Sequence, residues 1–288
     1  MRSLLFVPGD SPRKLEKALT AGADALLLDL EDAVAPAAKD GARRTVSAFL
    51  AEATAEAERP RLYVRVNALE TGLTDADLAG VMMAMPDGIV LPKASGGADV
   101  ARLGAKLAVW EARAGASDGA TRILALAAES ARGIFGLGTY AEAGGRLMGL
   151  TWGGEDLSAD VGAETNRDAR GAYTEPYRLA RSLTLFAAAA ASVDAIDAVY
   201  TNFRDLTGLE AECREACRDG FVAKMAIHPA QVPVINAAFT PSAEAVQRAR
   251  AVVAAFRANP DAGVTGVDGE MLDRPHLLRA ERLLARLG

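Results

Sequence analysis

Eight short apolar runs, at residues 3–7, 25–30, 62–66, 88–92, 123–127, 147–152, 195–200 and 222–227, recur along the chain, each closed by polar or charged residues. Ala-rich stretches with helical periodicity lie between them. Strands that alternate with helices are joined by right-handed parallel crossovers, and eight such units match a (β/α)8 TIM barrel better than a doubly wound sheet of fewer strands. Helix-start signals support the count. Ser11-Pro12 supplies an N-cap and a first helical residue before residues 13–20, and Pro241-Ser242 precedes a long helix rich in Ala, Val and Arg.

The 288 residues suit one such barrel or two smaller domains, and half of them are hydrophobic while only 5% are aromatic. That filling by Ala, Leu and Val fits helices packed on a parallel sheet. No Gly/Ser-rich linker or low-complexity tract marks a second domain, so the expectation is a barrel over residues 1–258 and a C-terminal extension or lid over 259–288. Within that extension a Gly- and Asp-containing stretch, 259–272, precedes an amphipathic segment at 274–287.

A net charge of −6 opposes nucleic acid as a partner, although a local basic patch can still hold one phosphorylated ligand. No apolar run approaches the roughly 20 residues of a membrane span; 183–191 is too short, and the N-terminus lacks signal-peptide features. Cys213 and Cys217 stand i,i+4 in a polar segment without a second ligand pair, which favours reduced surface or boundary thiols over zinc. The expected location is cytoplasmic.

In a barrel the ligand lies at the C-terminal ends of the strands, so the residues closing each run form an inventory of one mouth. They are Pro8-Gly9, Asp29, Glu31, Asp32, Arg65, Asn67, Pro92-Lys93, Glu129, Asp156, Asn202 and His228-Pro229. Glu129 and Asp156 belong to different repeating units, and a hard divalent cation is a natural reason to bring two such carboxylates together. Helix capping is the competing role for any single acid in the set.

Read in order, Arg2-Ser3-Leu4-Leu5-Phe6-Val7-Pro8-Gly9, Asp29-Leu30-Glu31-Asp32-Ala33-Val34, Val64-Arg65-Val66-Asn67, Leu91-Pro92-Lys93, Glu129-Ser130-Ala131-Arg132-Gly133, Gly154-Glu155-Asp156-Leu157 and Ala226-Ile227-His228-Pro229-Ala230-Gln231 form a strong pattern. It resembles the HpcH/HpaI aldolase and citrate lyase superfamily, in its citrate lyase β-subunit-like and malyl-CoA lyase-like branch. The likeness runs nearly end to end. It implies a Mg²⁺-dependent homotrimer or homohexamer of TIM barrels that cleaves or forms a carbon-carbon bond in acyl-CoA or acyl-carrier thioesters of 3-hydroxy acids, yielding an acyl thioester and a 2-oxo acid. A malyl-CoA-type thioesterase, or a β subunit working within a citrate lyase complex, is the alternative.

The same resemblance implies Glu129 and Asp156 as metal ligands. It also implies Asp29, Glu31 and Asp32 as acceptors for metal-bound water, with loop capping as their plainer role. Arg65 becomes the arginine that anchors substrate and stabilises an oxyanion; a strand-end salt bridge is the alternative. Arg13, Lys14 and Lys93 are candidates for the phosphates of a coenzyme A arm, or solvated surface charges. His228 suits a hydrogen-bonded structural role better than a base, and no histidine precedes it, which disfavours the superfamily's aldolases of free 2-oxo acids. Around Gly269-Glu270-Met271-Leu272-Asp273-Arg274-Pro275-His276 the tail resembles a lid that reaches a neighbouring subunit and donates an acid. Asp273 is the candidate, Asp268 the fallback, and helix capping the alternative for Asp273.

Overall fold

The computed structural model describes residues 1–56, 58–260 and 262–287. Position 261, within the expected extension, and position 288 lie outside them. The strands are β1 (Ser3–Pro8), β2 (Ala25–Asp29), β3 (Arg61–Arg65), β4 (Gly88–Leu91), β5 (Arg122–Ala128), β6 (Leu147–Trp152), β7 (Asp194–Asp197) and β8 (Ala223–Ala226), followed by β9 (Val264–Val267) and β10 (Glu270–Asp273). The α-helices are α1 (Pro12–Ala18), α2 (Lys39–Ala53), α3 (Thr74–Val81), α4 (Gly97–Ala114), α5 (Ala131–Gly136), α6 (Gly154–Asp160), α7 (Glu175–Ala190), α8 (Leu206–Asp219), α9 (Val232–Phe239), α10 (Ala243–Ala258) and α11 (Arg274–Ala285).

Strands β1 to β8 pair in sequential order, all parallel, and β8 returns to β1 through Leu4↔Met225 and Leu5↔Ala226 to close the barrel. The expected (β/α)8 fold is therefore the observed one. Its lumen is filled by alternate residues: Leu4, Ala25, Leu27, Tyr63, Val90, Leu124, Leu126, Ile196, Ala223 and Met225 form one buried cluster. Because side chains alternate along a strand, Asp29 and Arg65 continue the inward rows of Ala25-Leu27 and Tyr63, and reach the mouth on the lumen side.

Glu129 does not continue the Leu124-Leu126 row by simple alternation. The pairing of β5 with β6 advances two residues on β5, Leu126 to Ala128, against one on β6, Thr151 to Trp152. This extra residue is a β-bulge, and it restores the inward direction just before Glu129.

Strand β7 ends at Asp197, short of the expected Tyr200. Residues 198–200 leave the ladder but remain apolar because Val199 packs on the lumen cluster, while the Tyr200 hydroxyl donates to Asp205 at 2.8 Å. Cys213 is buried in α8 rather than at the surface, and that burial pushes its thiol up to about 12; Cys217 is half-buried.

The chain divides into two compact units, Met1–Ala237 and Ala238–Gly288, so α10 groups with the C-terminal segment rather than with the barrel as the 258/259 boundary expected. In this second unit Ala249, Val252, Val253 and Phe256 of α10 form a core with Leu272 and Ala280. Ser242 caps α10, its hydroxyl accepting from the Ala245 N–H at 3.1 Å. The Gly- and Asp-containing stretch of the expected extension forms the β9–β10 hairpin, turned at Asp268-Gly269, which both have positive φ. Among the described residues no helix is long and apolar enough to cross a membrane.

Candidate active site at the barrel mouth

The end of β2 and the loop after it carry three acids, and their roles diverge. Asp29 accepts the Glu31 N–H at 2.8 Å and the Ala33 N–H at 3.1 Å. Its two oxygens also take a bidentate fork from Arg65, Nε at 2.8 Å and Nη2 at 2.6 Å. Asp29 is thus engaged by its own loop and by Arg65, which differs from the water-facing role expected for it. Lys39 Nζ donates to the Leu30 and Glu31 carbonyls, and Asn67 Nδ2 donates to the Leu30 carbonyl at 3.0 Å, fixing the loop against β3.

Arg65 is buried, its guanidinium 4.7 Å from the Phe6 ring centroid. The remaining nitrogen, Nη1, stands 3.0 Å from Glu31 Oε2 and 3.8 Å from Asp32 Oδ2. Burial alone would lower its pKa, but the hydrogen bonds and charge of Asp29, with Glu31 and Glu129, raise it further above its ordinary range. The guanidinium is a permanently charged donor fixed among these acids.

Glu129 is buried, with its Oε2 accepting the Lys93 backbone N–H at 2.7 Å. Burial, reinforced by the charges of Asp156 and Glu31, pushes its carboxyl up to about 8 against the opposing effects of that N–H and of Arg65. Gly153 leaves it room: a Cβ there would sit 2.8 Å from Glu129 Oε1. Asp156, a third exposed, lies in the first turn of α6, where N–H groups favour an anion. Glu31 is likewise pushed up, chiefly by burial, while Arg65 and Lys93 oppose the shift.

Lys93 departs from its expected place on a coenzyme A phosphate. Its ammonium turns into the acids, 2.6 Å from Glu31 Oε1 and 3.4 Å from both Asp32 Oδ2 and Asp156 Oδ1. Five carboxylates, Asp29, Glu31, Asp32, Glu129 and Asp156, thus share two cations at one mouth. An excess of hard oxygen donors, including a Glu31 Oε2 that is buried without a well-aligned hydrogen bond, fits a divalent cation such as Mg²⁺. Among the described residues no group of three or more His, Cys, Asp or Glu forms a metal cage, so the fit is to a cation that draws its other ligands from water and substrate.

The other sequence candidates fall outside this cluster. Arg13 and Lys14 are exposed on α1, whose N-cap Ser11 makes no side-chain bond. His228 is exposed and stacks on Phe203 at 4.7 Å between centroids, and its Nδ1 accepts the Ala230 N–H at 3.1 Å, which is a structural role. Asn202 is exposed. In the second unit Asp273 is the N-cap of α11 in a capping box, its Oδ1 2.5 Å from His276 Nδ1.

Sequence reasoning missed a second buried ionic cluster, built on side chains that point out of the same barrel wall. Asp197 accepts from Trp152 Nε1 at 2.9 Å, Lys224 Nζ at 2.9 Å and Arg181 Nε at 3.2 Å. Lys224 also reaches Glu212 at 2.8 Å, Glu212 pairs with Arg167, and Arg181 pairs with Asp219. The available signal was a lysine inside the apolar run Ala223-Lys224-Met225-Ala226.

A family model described as HpcH/HpaI aldolase/citrate lyase matches this chain over residues 2–229. The chain belongs to that family. It is 37% identical to a citrate lyase subunit beta-like protein of Mycobacterium tuberculosis, covering 99% of this chain and 94% of the relative. It is 36% identical to a (3S)-malyl-CoA thioesterase of Cereibacter sphaeroides, with 99% and 94% covered. Among solved structures, protein CitE of M. tuberculosis in complex with magnesium, acetoacetate and coenzyme A matches with a TM-score of 0.76 and 35% identity, over 99% of this chain and 97% of that one.

Proposed function

We propose that this family member is a Mg²⁺-dependent oxo-acid-lyase. It cleaves a 3-hydroxyacyl-CoA of the citryl, malyl or citramalyl type into an acyl-CoA and a 2-oxo acid, or condenses them. The observation that carries the reading is the joining of two strand-end acids, Glu129 and Asp156, to an arginine locked by Asp29 in a mouth with surplus negative charge. Glu129 and Asp156 would hold the cation, with Glu31 and Asp32 beside them as acceptors for its water. Magnesium bound there would supply Lewis acidity toward the oxo acid.

Arg65 orients the oxo acid's carboxylate and stabilises charge on the oxygen that becomes a carbonyl. Arg13 and Lys14 meet the phosphates of the coenzyme A arm. Asp273, contributed by a neighbouring copy in a homotrimer or homohexamer, handles the proton at the thioester's α-carbon. The His276 hydrogen bond holds the Asp273 carboxyl below its usual range, so it is ionised at neutral pH. It takes that proton in condensation and returns it in cleavage. The chain is proposed to work in the cytoplasm.

The named thioesterase relative supports a second reading, in which the same mouth admits water to the thioester carbonyl. A magnesium-supplemented screen of 3-hydroxyacyl-CoA substrates, with separate detection of free CoA and 2-oxo acid, tests both. A lyase yields 2-oxo acid without free CoA, whereas free CoA without 2-oxo acid replaces the proposal with a thioesterase. Inactivity on CoA esters combined with activity on a carrier-bound acyl group marks a citrate lyase subunit.

A further inference from the structure

Lys93 is one of the few non-glycine residues with positive φ, at 51°, a conformation that costs a lysine more than a glycine. What this backbone delivers is its N–H to Glu129 Oε2 at 2.7 Å. The side chain delivers something separate, an ammonium 2.6 Å from Glu31 and 3.4 Å from Asp32 and Asp156. One residue therefore touches every acid of the mouth except Asp29. Arg65, the other cation, is buried and forked onto Asp29, so it cannot leave. Lys93 is 37% exposed on a flexible four-carbon stem, so it can.

We propose that the Lys93 ammonium is a built-in counter-ion: it holds Glu31, Asp32 and Asp156 together while no divalent cation is bound, and it withdraws from Asp156 when one binds. The inference rests on the metal reading of Glu129 and Asp156. Lys93 is a positioning residue in this scheme, acting through the carboxylates. Its backbone N–H keeps Glu129 oriented in both states, since the main-chain bond does not depend on the ammonium. Without such a cation the crowded carboxylates would repel one another and spread or take up protons. With it, the ligand set is assembled beforehand at the cost of competition with the incoming metal.

The competition predicts a sign that structural damage would not produce. Lys93→Met keeps the length of the side chain and the backbone contact but removes the charge. By calorimetric titration of the full chain with MgCl₂ alone, Lys93→Met is expected to bind on the order of tenfold more tightly than wild type, because one like charge near the metal is gone. Lys93→Arg keeps the charge and is expected to stay near wild type. Glu129→Gln, run in parallel, is expected to abolish binding.

A second measurement needs no variant at Lys93. Reductive methylation of the wild-type chain, read by peptide mass, is expected to modify Lys93 faster with MgCl₂ than without it. Unchanged or weaker Mg²⁺ binding by a folded Lys93→Met chain overturns the counter-ion role, as does methylation that Mg²⁺ slows or leaves alone; if Lys93→Met does not fold, methylation decides. Magnesium binding that survives Glu129→Gln overturns the metal reading instead, so the two failures are distinguishable.

Discussion

Glu129 and Asp197 are both buried carboxylates at strand ends of one barrel, yet one is pushed up to about 8 and the other is held below the ordinary range. Burial opposes the charge of each. Their company differs: Asp197 faces Lys224, Arg181 and the Trp152 indole on the helix side of the wall, whereas Glu129 faces the lumen beside Asp156 and Glu31. Outside the wall four acids, Asp197, Glu212, Glu215 and Asp219, are matched by Lys224, Arg181, Arg167 and Arg218; inside, five acids share Arg65 and Lys93. The outer cluster is matched in charge, whereas the inner one carries the surplus of negative charge that the proposed cation would answer.

The comparison breaks most sharply under exchange of an acid for its amide. Glu129→Gln is expected to lose magnesium binding in a calorimetric titration and to cut turnover by about 1,000-fold or more, as loss of a charged metal ligand does, with no fall in urea midpoint. Asp197→Asn is expected to do the reverse: it removes the fully buried carboxylate shared by Lys224 and Arg181 and costs about 3–5 kcal/mol of stability by urea unfolding, with magnesium affinity retained. If Glu129→Gln unfolds the chain or Asp197→Asn abolishes metal binding while folded, the division of labour is wrong.

Arg65→Lys sharpens the inner side of the comparison. The charge stays, but one ammonium cannot reproduce the fork on Asp29 and also face the substrate. A loss of about 2–4 kcal/mol in kcat/KM is expected, the size of a lost oxyanion contact. Activity within a factor of two of wild type would place Arg65 outside the chemistry.

The smallest effect is a slope with pH. A carboxyl raised on folding contributes stability that is complete below its unfolded pKa and lost as pH rises through the folded value, for Glu129 from 4.5 to about 8. Asp197, lowered on folding, contributes stability that is present above its unfolded pKa of 3.8 and lost only as pH falls through its lower folded value. Between pH 5 and 8 the metal-free chain is therefore expected to lose stability, read as a falling urea midpoint, from Glu129 alone. Glu129→Gln should remove that slope and Asp197→Asn should not.

The barrel was legible because eight apolar runs and their helical spacers repeat one local rule, and the parallel sheet obeys it strand by strand. The place of Glu129 and Asp156 at the barrel mouth was legible because charge at the end of an apolar run stands out. The pairing of Asp29 with Arg65 was not, since a strand-end acid looks the same in sequence whether it faces water or a neighbouring strand's arginine. Lys224 shows a similar limit: its partners Asp197 and Glu212 lie on other elements, and only the packing of α7 and α8 on the wall joins them. The β9–β10 hairpin carried a readable Asp-Gly turn, but β9 alternates exposed and half-covered residues and β10 buries Leu272 alone, which gave no apolar run to notice.

The single extra residue that separates Leu126 from Ala128 in the β5–β6 ladder behaves like a corrected reading frame. Upstream of it the even-numbered side chains of β5 fill the lumen; downstream of it the odd-numbered Glu129 does. Loss of that one residue would leave the apolar run, the strand and the barrel intact while turning Glu129 into the helix layer. Two descendants of one ancestor could therefore look alike in every hydrophobic position and differ in whether they hold a cation, so the count of residues between Leu126 and Glu129 is itself part of the site's inheritance.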